Sequence, residues 1–97
     1  MAKSLYIISY DLKVPGRDYS SLYDAIKTFD WQHPLESTWL VITEYSADEI
    51  SKLLRKDGRM DDSDLLFVCR LDPKDRQGWL DKYVWVWIRN YLDNNYD

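Results

Sequence analysis

The run from Leu5 to Leu12 is apolar on both of its faces, and this feature constrains the fold more than any other. Side chains alternate across a strand, so each face carries its own set of residues. One face carries Tyr6, Ile8, Tyr10 and Leu12, and the other carries Leu5, Ile7, Ser9 and Asp11. Such a strand needs cover on both sides, so we expect it at the centre of a sheet between two layers.

Two segments that follow have the apolar spacing of amphipathic helices. Asp18 is expected to cap the first helix, whose apolar positions run from Tyr19 to Phe29. Residues 46–49 form a capping box before the second helix, with the Ser46 hydroxyl and the Glu49 carboxylate each accepting a bond from the other residue's amide. Gly58 suits the left-handed position that ends a helix.

Three further segments have strand patterns. Residues 31–35 contain Pro34, which confines them to an edge strand or an irregular hairpin arm. Residues 37–43 and 65–71 alternate in the manner of strands. The order strand, helix, strand pair, helix, strand is that of the ferredoxin-like βαββαβ fold. We therefore predict a single α+β domain over residues 1–97, with a four-stranded antiparallel sheet and a core of about residues 4–72.

A Trp-rich segment, about residues 78–92, predicts an extra C-terminal helix. Its expected apolar stripe consists of Leu80, Tyr83, Val84, Trp87, Ile88 and Tyr91. We expect this helix to lie on or beside the sheet, with Trp85 roughly opposite the centre of the stripe. The two internal helices cannot cover both the open face of the sheet and this helix, so we predict a homo-oligomer, most simply a dimer, with Trp85, Leu5 and Ile7 at the interface.

Composition limits the compartment and the partners. The chain has 97 residues, no apolar run long enough to span a membrane and no recognisable secretory signal. A single cysteine, Cys69, agrees with a reducing compartment, so the expected location is the cytoplasm. The net charge of -4 at pH 7 disfavours strong binding to duplex DNA, which is usually held by a basic face.

Several motifs together resemble the small bacterial and phage proteins of the SinR family, over about residues 5 to 71. They are residues 10–12, Pro15-Gly16, Tyr19, Trp31, His33, residues 37–40, Ser46-Ala47, Glu49-Ile50, Asp61 and Asp64-Leu65. That group is similar in turn to the second CRISPR-associated adaptation protein and to VapD-type ribonucleases. The resemblance implies ferredoxin-like homodimers, and it does not extend to the segment from Trp79 onward.

The resemblance also implies a metal site. In the CRISPR-associated relatives the aspartate that ends the first strand is the proposed metal ligand, paired with its twin across the dimer axis, and Asp11 occupies that position here. Such a pair would suit Mg²⁺. The residues alone leave another reading open, since an aspartate before a Pro-Gly turn commonly closes the turn. His33, the single histidine, is a candidate general base or a packing residue.

A second candidate site is the loop at residues 13–17, where Lys13 and Arg17 precede a helix N-terminus that could hold a phosphate group. The alternative, which the residues favour, is a solvated loop without a ligand. Tyr10, Trp31 and Trp39 are candidate stacking platforms for a base, although such rings also fill cores. No certain cofactor is implied.

Two functions follow from these features. The first is a non-catalytic, oligomeric binding protein that recognises a protein partner or a small nucleotide-like anion. The alternative is a Mg²⁺-dependent phosphodiesterase, an endonuclease on RNA or DNA, with Asp11 as the metal ligand.

Overall fold

The computed structural model describes residues 2–95, which form an α+β domain in the predicted order of elements. The elements are β1 (Ser4–Asp11), α1 (Ser20–Ile26), β2 (Asp30–Leu35), β3 (Thr38–Thr43), α2 (Ala47–Arg55), a 3₁₀ turn (Lys56–Gly58), β4 (Leu65–Arg70) and α3 (Lys82–Asn95). Within residues 2–95, no helix is both long enough and apolar enough to cross a membrane.

The four strands form one open antiparallel sheet with the order β2-β3-β1-β4. β1 pairs with β3 on one side and with β4 on the other, so it lies in the interior of the sheet as its apolar faces predict. β2 is an edge strand, in agreement with Pro34, which has no amide hydrogen to donate to a neighbouring strand.

The first face of the sheet packs against α1 and α2. Its strand residues are those predicted by alternation, with Tyr6 and Ile8 from β1 and Val41 from β3 in the core. The remaining buried members of this first core are Tyr10, Tyr19, Leu22, Ala25, Ile26, Trp39, Ile50, Leu54 and Met60.

The second face is partly covered by α3, which therefore lies on the sheet as expected. Val84, Ile88 and Tyr91 of α3 form a second core with Leu5, Leu40 and Ile42. Leu5 is fully buried in the single chain, so its surface is not available to a second subunit, whereas Ile7 and Trp85 are partly buried against the same core.

Several helix boundaries differ from the sequence prediction. α2 ends at Arg55 rather than at Gly58, and the 3₁₀ turn that follows it ends at Gly58, whose φ of 71° is left-handed. α3 begins at Lys82 rather than near residue 78, because its first turn closes on Asp81, whose carbonyl accepts from the Val84 amide at 2.9 Å. Trp79 therefore precedes the helix and is 99% exposed. The side chain of Asp18 accepts from the Ser20 amide at 2.9 Å, but the cap position of α1 is Tyr19, which makes no side-chain cap bond.

Candidate functional site

Asp11, the residue expected to bind a metal, ends β1 opposite Leu65 of β4. Its carboxylate accepts from the Lys13 ammonium at 2.6 Å, and its side chain is 61% exposed. Both side chains of this ion pair are solvent-accessible, so the pair contributes little to stability, about 0–1 kcal/mol. In the single chain the charge of Asp11 is therefore balanced by its neighbour in the turn.

Asp64 closes the turn after β1, a role that its position in the sequence does not by itself indicate. It is 4% exposed, and its carboxylate accepts from the Lys13 amide at 2.7 Å, the Tyr19 hydroxyl at 2.9 Å and the Asp61 amide at 2.8 Å. Burial acts to raise the pKa of Asp64, but these three donors outweigh it and hold that pKa below its usual value. The sequence feature that could have indicated this role is an aspartate in a polar turn directly before β4.

Arg17 is also held by the chain itself. Its guanidinium donates to the Gly58 carbonyl, lies 3.8 Å from the Asp61 carboxylate and sits 5.4 Å from the centre of the Tyr19 ring. Lys13 and Arg17 thus share one loop as predicted, but each cation is directed at a group of this chain. α1, which follows the loop, has seven residues. The loop therefore offers an anion less charge than its sequence suggests.

The aromatic residues expected to stack on a base form a cluster on the first face. Trp39 is 2% exposed and donates to the Tyr10 hydroxyl at 3.0 Å, so both rings are used for packing. This corrects their assignment as ligand platforms, because a base needs an open ring face. Burial is the main cause of the raised pKa of Tyr10. Trp31 is 37% exposed, with the Lys27 ammonium 5.5 Å from its ring centre.

His33 stacks on Trp39 with ring centres 3.7 Å apart and an angle of 9° between the planes. Its Nε2 lies 2.9 Å from the carbonyl oxygen of Glu36. Trp39 faces the first core, whereas Asp11 shares the opposite face with Ser9 and Ile7 by alternation along β1. The structure therefore separates His33 and Asp11 by the sheet and does not bring them together as an acid–base pair.

The second face remains uncovered where β1 ends. We define the open half of the sheet as Ser9, Asp11, Leu65 and Phe67. Leu65 and Phe67 are 58% and 62% exposed, although they lie directly beside Asp11 and Ser9 in the strand register. A shallow groove of about 240 Å³ runs between these strand ends. Two large, exposed apolar side chains of β4 thus lie beside an exposed carboxylate of β1.

Among residues 2–95, no group of three or more His, Cys, Asp or Glu side chains is placed to hold a metal ion. Within the open half, a single chain supplies the Asp11 carboxylate, so a Mg²⁺ site there would need a second copy of it. Comparison with protein-family models, with curated proteins and with solved structures finds no match.

Proposed function

We infer that the domain has the ferredoxin-like fold. In support, β1 lies between β3 and β4, and β3 lies between β1 and β2. The segment β1-α1-β2 therefore has one strand inserted between its parallel ends, and β3-α2-β4 has the same arrangement. The same strand order is the one that the resemblance to the SinR family and to the CRISPR adaptation proteins implies.

We propose that the protein is a non-catalytic, homo-oligomeric binding protein that recognises a protein partner or a small nucleotide-like anion, and that its subunits meet at the open half of the sheet. The observation that carries this proposal is the exposure of Leu65 and Phe67 on a sheet face that α3 covers elsewhere. Complete burial of a fully exposed side chain of this kind contributes about 1.5–3 kcal/mol, and more than half of that surface is still exposed on Leu65 and Phe67. A second copy related by a twofold axis would present the same pair, since an isologous interface joins identical patches.

A twofold arrangement also matches the charges of this surface. Asp11 and Lys13 form a neutral pair at the edge of the open half, so two copies can approach without uncompensated repulsion. β4 is also an edge strand, so the backbone groups on its outer side are open to hydrogen bonding with a partner strand beside the open half.

The oligomer is tested by light scattering of the wild type and of Phe67→Ser at micromolar concentrations. We expect a dimeric mass for the wild type and a dissociation constant at least about tenfold higher for the variant, because the lost aromatic contact is central to the interface. Tyr83→Ser is the matched control, since Tyr83 is also 62% exposed but lies on α3. A monomeric wild type would refute the proposal.

The phosphodiesterase remains the second candidate because Asp11 lies within the surface proposed to be shared. A twofold dimer would bring two Asp11 carboxylates toward each other, a ligand set that suits Mg²⁺. We expect no cleavage of RNA or DNA by the wild type above background with Mg²⁺ or Mn²⁺. We also expect Asp11→Asn to change the free energy of unfolding by less than about 1 kcal/mol, because only an exposed ion pair is lost.

Metal-dependent cleavage that disappears in Asp11→Asn, with the dimer intact, would instead favour the nuclease. The matched control is Asp62→Asn, an exposed aspartate near β4 and outside the open half. Cleavage that survives Asp11→Asn would come from a contaminant or from another site.

A further inference from the structure

A groove beside the first two turns of α3 combines positive charge with exposed indole surface. It lies between the segment 74–80 and the helix, and its volume is about 580 Å³. The side chains that matter for its chemistry are Lys74, Arg76, Lys82, Arg89, Trp79 and Trp85. The groove is formed within one chain and lies outside the open half of the sheet, so it does not depend on the proposed dimer.

The charge of the groove opposes that of the whole chain. Four cationic side chains and no acidic one line it, although the net charge of the protein is -4. Lys82 and Arg89 are exposed and lie two helical turns apart on one side of α3, with Val86 between them. The spacing lets both cations contact separate anionic groups of one ligand, and lysine and arginine are the usual partners of phosphates.

The acids on either side of the segment 74–80 each accept a hydrogen bond from a neighbouring residue. Asp81 accepts from the hydroxyl of Tyr83 at 3.1 Å, and Asp72 accepts from the amide of Lys74 at 3.2 Å. Arg76 donates to the carbonyl of Pro73 at 2.9 Å, so part of its guanidinium is already bonded within the chain. Asp75, the acid within the segment, is exposed and is not among the residues that line the groove, so the charged side chains of the lining are all cationic.

The indoles supply the second feature. Trp79 is 99% exposed, so its ring contributes almost nothing to the core and presents its faces to solvent. Trp85 packs beneath the loop, and a side chain at Gly78 would meet the end of its indole at 3.9 Å. An open ring beside cations is the arrangement with which proteins stack a base and hold its phosphate. An acidic peptide would use the cations but would leave this ring without a planar partner.

We propose that this groove binds nucleotides, with the base on Trp79 and phosphate groups near Lys82 and Arg89. The ligand is a free nucleotide or a nucleotide within a single strand, since both present the same base and phosphate. An unpaired strand suits the site better than a duplex because its bases are open to stacking.

The test measures binding of fluorescein-labelled octathymidylate and octaadenylate by anisotropy, and of AMP by quenching of tryptophan fluorescence. We expect Trp79→Ala to weaken binding by about five- to a hundredfold, and Trp79→Phe to retain most of the affinity, since one stacked base is lost in the first variant only. Unchanged thermal unfolding of both variants would show that the fold is intact, as the exposure of Trp79 predicts.

Two double variants distinguish binding in the groove from a general effect of positive charge on the protein. The association constant for the octamers is measured at several salt concentrations. For Lys82→Ala/Arg89→Ala, the slope of its logarithm against the logarithm of salt concentration should fall by about 1.4 in magnitude, because two phosphate contacts are lost. Lys52→Ala/Arg55→Ala, which removes the same charge from exposed positions of α2, should leave the slope unchanged.

Comparison of AMP with the octamers shows whether the ligand is a free nucleotide or a nucleotide within a single strand. Affinity that rises from AMP to the octamers assigns the groove to single strands, and equal affinity for AMP assigns it to free nucleotides. The proposal is overturned by absence of binding in both arms, by equal losses in the groove and α2 variants, or by polyglutamate binding as tightly as the octamers without dependence on Trp79.

Discussion

Asp64 shows how much of the local structure depends on one buried carboxylate. Its oxygens join the turn after β1, the start of α1 and the turn before β4, through bonds from Lys13, Tyr19 and Asp61. The bonds from Lys13 and Tyr19 span 51 and 45 residues of the chain, and they position the loop that carries Lys13 and Arg17. Asp64 therefore links the open half of the sheet to the first core.

Replacing Asp64 by alanine is expected to destabilise the protein by about 1–3 kcal/mol, because two amides and a buried hydroxyl lose their acceptor. Chemical denaturation followed by circular dichroism measures this change. Asp62→Ala is the matched control, since Asp62 is exposed in the same turn and its loss should cost less than about 0.5 kcal/mol. Equal effects of the two substitutions would contradict the role of Asp64.

The Asp64 carboxylate is expected to make the stability of the protein depend on pH. The folded pKa of Asp64 lies below its unfolded value, so its contribution is fully present above about pH 4 and is lost as the pH falls through the folded value. The difference in stability between the wild type and Asp64→Asn should therefore shrink in acid. A difference that stays constant from neutral pH to pH 2 would show that the ionised carboxylate is not the group that matters.

At the scale of elements, the two internal helices differ in how their starts are specified. In α2 the predicted capping box is confirmed, with the Glu49 amide 3.1 Å from the Ser46 hydroxyl and the Ser46 amide 2.9 Å from the Glu49 carboxylate. In α1 the start depends on tertiary contacts of Tyr19, which is 7% exposed and bonded to Asp64. Helix α2 is thus defined locally, and α1 is defined by packing.

Loss of the cap in Ser46→Ala should destabilise the protein by about 0.5–2 kcal/mol, because the first turn of α2 loses its side-chain acceptor. The midpoint of urea denaturation gives the change. Ser21→Ala, an exposed substitution inside α1, serves as the control and should have a smaller effect because alanine favours a helix. An unchanged midpoint for Ser46→Ala would mean that the box is not formed in solution.

At the scale of the whole molecule, the sheet separates two cores, and α3 closes the second one. Ile88 is 4% exposed and packs with Leu5 and Ile42, so its truncation leaves a cavity between the helix and the sheet. Ile88→Ala is expected to cost about 2–5 kcal/mol. Val86→Ala on the same helix, where Val86 is 43% exposed, should cost less than about 1 kcal/mol.

Thermal unfolding of both variants measures the difference. Because β1 belongs to both cores, we expect Ile88→Ala to lower the unfolding temperature of the whole domain in one transition. A separate early transition for α3, with the rest unaffected, would show that the second core is not coupled to the first.

Periodicity and local chemistry alone determined the order of elements, the interior position of β1 and the capping box of α2, and Pro34 limited β2 to an edge strand or an irregular hairpin arm. Each of these depends on residues near one another in sequence, such as Pro34 or Ser46 and Glu49. Only the tertiary structure decided that Asp64 rather than Asp11 closes the turn, that Trp39 and Tyr10 are buried, and that Trp79 is exposed beside the cations of α3. Those outcomes depend on contacts between distant segments, which a pattern along one chain does not contain.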